Sequence, residues 1–328
     1  MFFTAADCDF TSNLEFHRRI PVTGDVISSA KRWDSGDGAA KRRRALKLVD
    51  RALSKRQYKS ALSLVKQLQG KPYGLRAFGA AKQITKRPSA MDESELNTKD
   101  ILSLQPLVDS ILDSIQPCLQ ISAERLESLI AEGRYPSRCE EEEHLICAQH
   151  EAGHFLVGYL MGVLPKQYEV PSIQALRQNR FAEGNVSFVG FEFLGQIDSI
   201  KILVENADIK NLHERENKGR QENKGTISLT KLNQFSCVIL GGLVAELLVA
   251  GNSDGHLADI LKLESVLVWL GLPKSDADRH LKWAAMNTAF IMSRHSETRL
   301  ILAKVMALGK SIGFCIDTIE NCLQGIEI

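Results

Sequence analysis

The sequence predicts a mainly α fold with one small β element, preceded by a basic helical hairpin. Three observations lead there. Apolar residues recur at three- and four-residue spacing through most of 39–70, 100–130, 140–164 and 228–310. One short stretch, 185–194, instead alternates and is rich in Val and Phe. Charge is also segregated: 31–87 holds 17 Lys or Arg against 3 Asp or Glu, whereas 88–163 holds 4 against 14, so a boundary is expected near Arg87-Pro88-Ser89.

The elements follow in order. Residues 1–38 lack periodicity and read as a disordered or targeting segment, although Asp7, Asp9 and Glu15 run against a transit peptide, which is poor in acids. Residues 39–87 form the basic module, two helices broken near Lys55-Arg56-Gln57. Ala45, Leu46, Leu48, Val49 and Leu53 make one apolar stripe, and Tyr58, Ala61, Leu62, Leu64, Val65 and Leu68 the next. Lys41 to Arg44 reads as a solvated helix face; such a face suits the acidic segment 92–143, a partner protein or an anionic surface. Residues 88–139 read as a helical connector, with Pro106 marking a start and Pro117 a break. Glu140 to Glu143 then open a long helix, where acids suit the positive end of the dipole. After the 185–194 strand, the polar stretch Glu205 to Lys224 reads as an inserted mobile loop. Helices are expected over 228–250, 256–270, 277–294 and 297–310, punctuated by Gly271 and Pro273.

Composition narrows the function. Of 328 residues, 44% are hydrophobic and 25% charged, ordinary for a globular protein. The net charge of +1 gives no reason to expect a nucleic-acid partner. Seven cysteines, an odd count with no CxxC pair, suit reduced thiols. No transmembrane span is expected: the Val238–Ala250 run is shorter than the roughly 18 residues a span needs, and it contains Glu246.

Inside the 140–164 helix stands His150-Glu151-Ala152-Gly153-His154. Residues i and i+4 share a helix face, so the two imidazoles can meet one ion, with Zn2+ the expected cofactor. Glu151, next to the first ligand, can take the proton of a water that the ion activates. Catalytic zinc usually takes three protein ligands and keeps one site for water. Glu246, Asp254, His256 and Asp259 are the downstream candidates, and Asp259, opening a helix, is well placed. A lone carboxylate in the apolar helix that holds Glu246 is costly, so it is expected to partner a ligand histidine. His256 is a second candidate for the outer layer, one turn from Asp259.

His150 to Val157 resembles the peptidase motif of the FtsH proteases, membrane-bound AAA zinc metallopeptidases. Leu240-Gly241-Gly242-Leu243-Val244-Ala245-Glu246 is similar to that family's Gly-Gly-x-x-Ala-Glu helix, and Gly255 to Ile260 to its Gly-x-x-x-Asp segment. The resemblance covers roughly 140–320. It implies an FtsH-type helical peptidase domain over 140–328, and it carries the third ligand onto Asp259. The match ends at the ATPase. Gly74 to Lys82, the nearest approach to a Walker A loop, has the wrong spacing before its lysine.

The expected function is therefore an ATP-independent zinc metalloendopeptidase that cleaves unfolded or flexible proteins. Its partners would be protein or peptide substrates, with a homo-oligomer or a partner ATPase compatible with the resemblance. The alternative is a catalytically silent scaffold or adaptor that works with a partner ATPase or protease. A peptidase half without its ATPase resembles plant plastid relatives of FtsH, which implies the chloroplast. The 185–194 strand is expected either to hold substrate backbone or to form a small structural hairpin.

Overall fold

The computed structural model describes residues 36–71, 73–84, 102–118, 139–179, 182–197, 225–251 and 257–328. It is mainly helical, and Gly38–Ile328 form one compact unit. The helices are α1 (Gly36–Ser54), α2 (Tyr58–Leu68), α3 (Gln105–Cys118), α4 (Glu140–Leu160), α5 (Ile173–Gln178), α6 (Leu229–Ala250), α7 (Leu257–Trp269), α8 (Lys274–Arg294), α9 (Ser296–Ala307) and α10 (Ile312–Cys322). The strands β1 (Pro165–Glu169) and β2 (Asn185–Phe188) pair antiparallel, with Tyr168 opposite Val186 and an irregularity between Pro165 and Gln167.

At the centre lie α4 and α6, which share the largest helix–helix interface. From Ala148 to Leu160 every residue of α4 is buried, the pattern of a helix surrounded by protein. Four glutamates fill its first turn, and it gives way at Met161 to Gly162, whose φ of 79° suits glycine. Ser228 caps α6 by accepting from the Lys231 amide at 3.2 Å, and Gly251 closes it at φ 73°. The expectation that nothing reaches membrane-spanning length is corrected here. At 22 residues, with a mean hydropathy of 1.7 over its most apolar 18-residue window, α6 is long and apolar enough, because Phe235, Cys237 and their neighbours extend the run N-terminally. Of the most apolar window, 67% is buried in the fold, as in a core helix.

Two glycines let the central helices touch. A Cβ built on Gly153 would lie 2.2 Å from the Gly241 carbonyl oxygen, and one on Gly241 would lie 2.8 Å from the Gly153 oxygen. Here backbone meets backbone, which any larger residue prevents.

The basic segment 39–84 is bonded to the C-terminal helices. Arg42 Nε donates to Asp317 at 2.6 Å, and Asp50 accepts from Ser311 Oγ and the Gly313 amide at 2.7 and 2.6 Å. Buried Glu320 accepts from the Arg76 and Ala77 amides, both at 2.9 Å, and from the Tyr159 hydroxyl at 2.6 Å. The Ile84 amide donates to Asn287, and Trp283 Nε1 donates back to the Ile84 carbonyl, both at 2.7 Å. The helix α10 and the strand β1 were not expected from the sequence. The expected insertion over 205–224 lies outside the described residues.

Candidate metal centre

The buried second half of α4 carries His150, Glu151 and His154; the two histidines meet α6 and α7, and Glu151 lies against Gly184. His150 Nδ1 lies 2.7 Å from Glu246 Oε1 on α6, and His154 Nδ1 lies 2.7 Å from the Val238 carbonyl. A carbonyl only accepts, so His154 carries its proton on Nδ1; the Glu246 carboxylate selects the same tautomer of neutral His150. Both Nε2 atoms then offer bare lone pairs to each other at 2.9 Å. The third member is Asp259, in the first turn of α7, whose Oδ2 lies 3.1 Å from His150 Nε2 and 2.9 Å from His154 Nε2. Of the candidate third ligands, Asp259 completes the group, and Glu246 lies behind His150 as its partner. Asp254 and His256 fall outside the described residues.

Three acceptors facing one another at this range repel unless a cation or a proton sits among them. The arrangement fits a metal ion. Tetrahedral ligands held at zinc's bond lengths stand about 3.3 Å apart, close to the edges of this triangle. A buried His150, His154 and Asp259 group can therefore hold a metal ion, and its donor set of two imidazoles and a carboxylate is common to several divalent metals.

Where no metal ion is bound, a proton takes that place. Burial opposes charging of His150, but its bonds to Asp259 and Glu246 outweigh that and hold its pKa well above the ordinary range. Burial alone would raise the pKa of Asp259; the adjacent His154 and His150 reverse this and hold it well below the usual carboxylate range. Burial pushes Glu151 upward, partly offset by the two imidazoles. Glu151 Oε2 is buried with no hydrogen-bond partner. A buried unpartnered carboxylate oxygen is costly, and beside a metal group it is the natural place for a water.

Two features shape the space. A Cβ on Gly242 would lie 2.4 Å from His150 Nε2, so this glycine makes room for the ligand ring. A Cβ on Gly184, just before β2, would lie 2.5 Å from Glu151 Oε1, so the strand begins against that carboxylate. Sequence reasoning missed three contributors. Lys262 Nζ donates to Asp259 Oδ1 at 3.3 Å, and its position one turn beyond Asp259 was the available signal. The Val238 carbonyl carries no sequence signal. Arg299 Nη1 donates to Gln149 at 2.5 Å and ties α9 to α4 beside His150; burial pushes this guanidinium down to about 10. Cys147, one turn before Glu151, is pushed up to about 12 by burial and by Glu151, so it stays a neutral thiol.

The chain matches no protein-family model, no curated protein and no solved structure.

Proposed function

We propose that this protein is an ATP-independent zinc metalloendopeptidase with an FtsH-type peptidase domain, acting on flexible or unfolded polypeptides. One observation carries the reading: three convergent acceptors on His150, His154 and Asp259 stand beside a buried, unpartnered oxygen of Glu151. A metal group alone would need no such neighbour, whereas a hydrolase needs a base there.

His150 and His154 would hold zinc through Nε2 and Asp259 through Oδ2, with Glu246 and the Val238 carbonyl fixing the two rings. When bound, the ion supplies a water of lowered pKa and polarises the scissile carbonyl. Glu151 would accept a proton from the attacking water at Oε2 as the water oxygen bonds to the carbonyl carbon. It would then deliver the proton to the departing amine nitrogen as the C–N bond breaks. Burial raises the pKa of Glu151, which favours its taking up a proton. Gly184 leads into β2 beside Glu151, so an extended substrate laid along that strand would pass the base.

The test is zinc content together with cleavage of labelled casein in the absence of ATP, for wild type and Glu151→Gln. Near-stoichiometric zinc in both, with cleavage by wild type only, supports the peptidase and its base together. Zinc in both and cleavage in neither overturns the ATP-independent enzyme and leaves the scaffold or adaptor. Zinc in neither overturns the metal centre.

A further inference from the structure

Residues 41–71 carry eleven Lys or Arg and one acid, Asp50, in a chain whose net charge is only +1, so the remainder is net acidic. Asp50 is engaged by Ser311 and Gly313, and Asp317 by Arg42. The apolar sides of α1 and α2 (Leu46, Val49, Leu53, Ala61 and Val65) are buried in the core. What the two helices turn outward is cationic. Arg44, Lys47, Arg51, Lys55, Arg56 and Lys59 are all exposed, and none has a carboxylate partner among the described residues. Arg44, Leu48 and Arg51 follow one stripe of α1, with Lys55 in the turn just past its end. Leu48 lies in that stripe and is 46% exposed; Tyr73, 57% exposed, lies against Gly38 at the start of α1.

We propose that this face adsorbs onto an anionic lipid bilayer. So many exposed cations without a carboxylate partner among the described residues call for an extended anion. A lone aliphatic side chain ringed by cations, with a tyrosine at one end, suits the headgroup boundary, where charge provides the attraction and small apolar groups dip in. A nucleic acid is a poorer fit. Base stacking needs a series of free aromatic faces. Tyr58, the other tyrosine of this segment, is half-buried, with Lys166 over its ring at 5.4 Å. The surface shares no residue with the metal centre, so it stands or falls apart from the peptidase reading.

The test uses the full-length protein in co-sedimentation with phosphatidylcholine vesicles, with and without about one-third phosphatidylglycerol, at roughly 0.05 and 0.5 M salt. Binding is expected only to the anionic vesicles and is expected to collapse at high salt. Each basic side chain near such a surface is worth about fivefold in partitioning. The triple variant Arg44→Gln/Lys47→Gln/Arg51→Gln should therefore lose roughly a hundredfold. Lys55→Gln/Lys59→Gln, made separately, should lose about twenty-fivefold. Both variants should keep the wild-type circular dichroism. Equal binding to neutral vesicles, no binding to anionic ones, or unchanged partitioning of both variants overturns the proposal. So does displacement from the vesicles by a mixed-sequence single-stranded oligonucleotide, which would make nucleic acid the partner.

Discussion

Replacing Gly242 by alanine adds one methyl group to the core, and the metal centre should register it before the fold does. The new Cβ would lie 2.4, 2.5 and 2.7 Å from Nε2, Cε1 and Cδ2 of His150. Carbon and ring atoms rest at about 3.5 Å, so the ring must retreat by about 1 Å. The same ring is held by the 2.7 Å bond from Nδ1 to Glu246, one turn along α6 from Gly242, so retreat from α6 pulls on that bond. A bond lengthened by that much is no longer one. Losing a hydrogen bond to a charged group costs roughly 1.5–3 kcal/mol, against about 1 kcal/mol gained from alanine's better helix propensity. The metal-free protein should therefore lose only about 1 kcal/mol. Zinc affinity, measured by chelator competition, should fall at least 10–100-fold, the usual effect of disturbing a ligand's supporting bond. Gly153→Ala should differ in kind. Its Cβ would meet the Gly241 backbone, so the two central helices must separate, at roughly 1–3 kcal/mol or more even in the metal-free protein. If Gly242→Ala binds zinc like wild type, the ring is not confined as described and the reasoning fails.

Three further expectations can be measured independently. Glu246→Ala should weaken zinc binding by about 10–100-fold in the same competition assay, and unchanged affinity would deny Glu246 a role behind His150. Glu320→Gln leaves one acceptor oxygen where two serve three donors, so urea unfolding should show a loss of about 2–3 kcal/mol; a loss under 0.5 kcal/mol would show that the donors find other partners. His295, buried beside Arg294, has its pKa pushed down from 6.5 to about 4, chiefly by burial. The unfolded chain then binds the extra proton first, so this histidine's contribution to stability is complete above pH 6.5 and declines as pH falls toward 4. The decline should reach at most about 3 kcal/mol and be missing from His295→Leu; parallel stability–pH curves for the two proteins would refute it.

Much of the helical order was readable because periodicity survives burial. The break near Lys55-Arg56-Gln57 falls where helix α1 stops and α2 starts, and Arg56 adopts φ 57° in that turn. The strand at 185 was readable from its alternation, but β1 was not. Pro165-Lys166-Gln167-Tyr168-Glu169 has little strand character and is extended because β2 pairs with it. The helix α10 went unread although Ser311, which accepts from the Phe314 amide at 3.2 Å, is an N-cap of the ordinary kind. The continuity of the basic segment with the C-terminal helices was hidden for a different reason. Glu320 and Asp317 look like surface acids in sequence, and only tertiary structure turns them inward.

At the metal centre, the legible part and the hidden part answer different questions. His150 and His154 are named by residue type and helical spacing, whereas Asp259 is one of four downstream candidates and is singled out by the resemblance. The distances between them are set elsewhere. The rings are aimed by Glu246 and by a backbone carbonyl on α6, and α6 can stand that close only because Gly153 and Gly241 leave no side chain between the two backbones. Moving α6 outward by the width of one methyl group would stretch the bonds to Glu246 and Val238 together. The pair of glycines thus acts on the site without touching it. The group of three acceptors should accordingly be more sensitive to substitutions at this crossing than to changes anywhere on the exposed faces of α4.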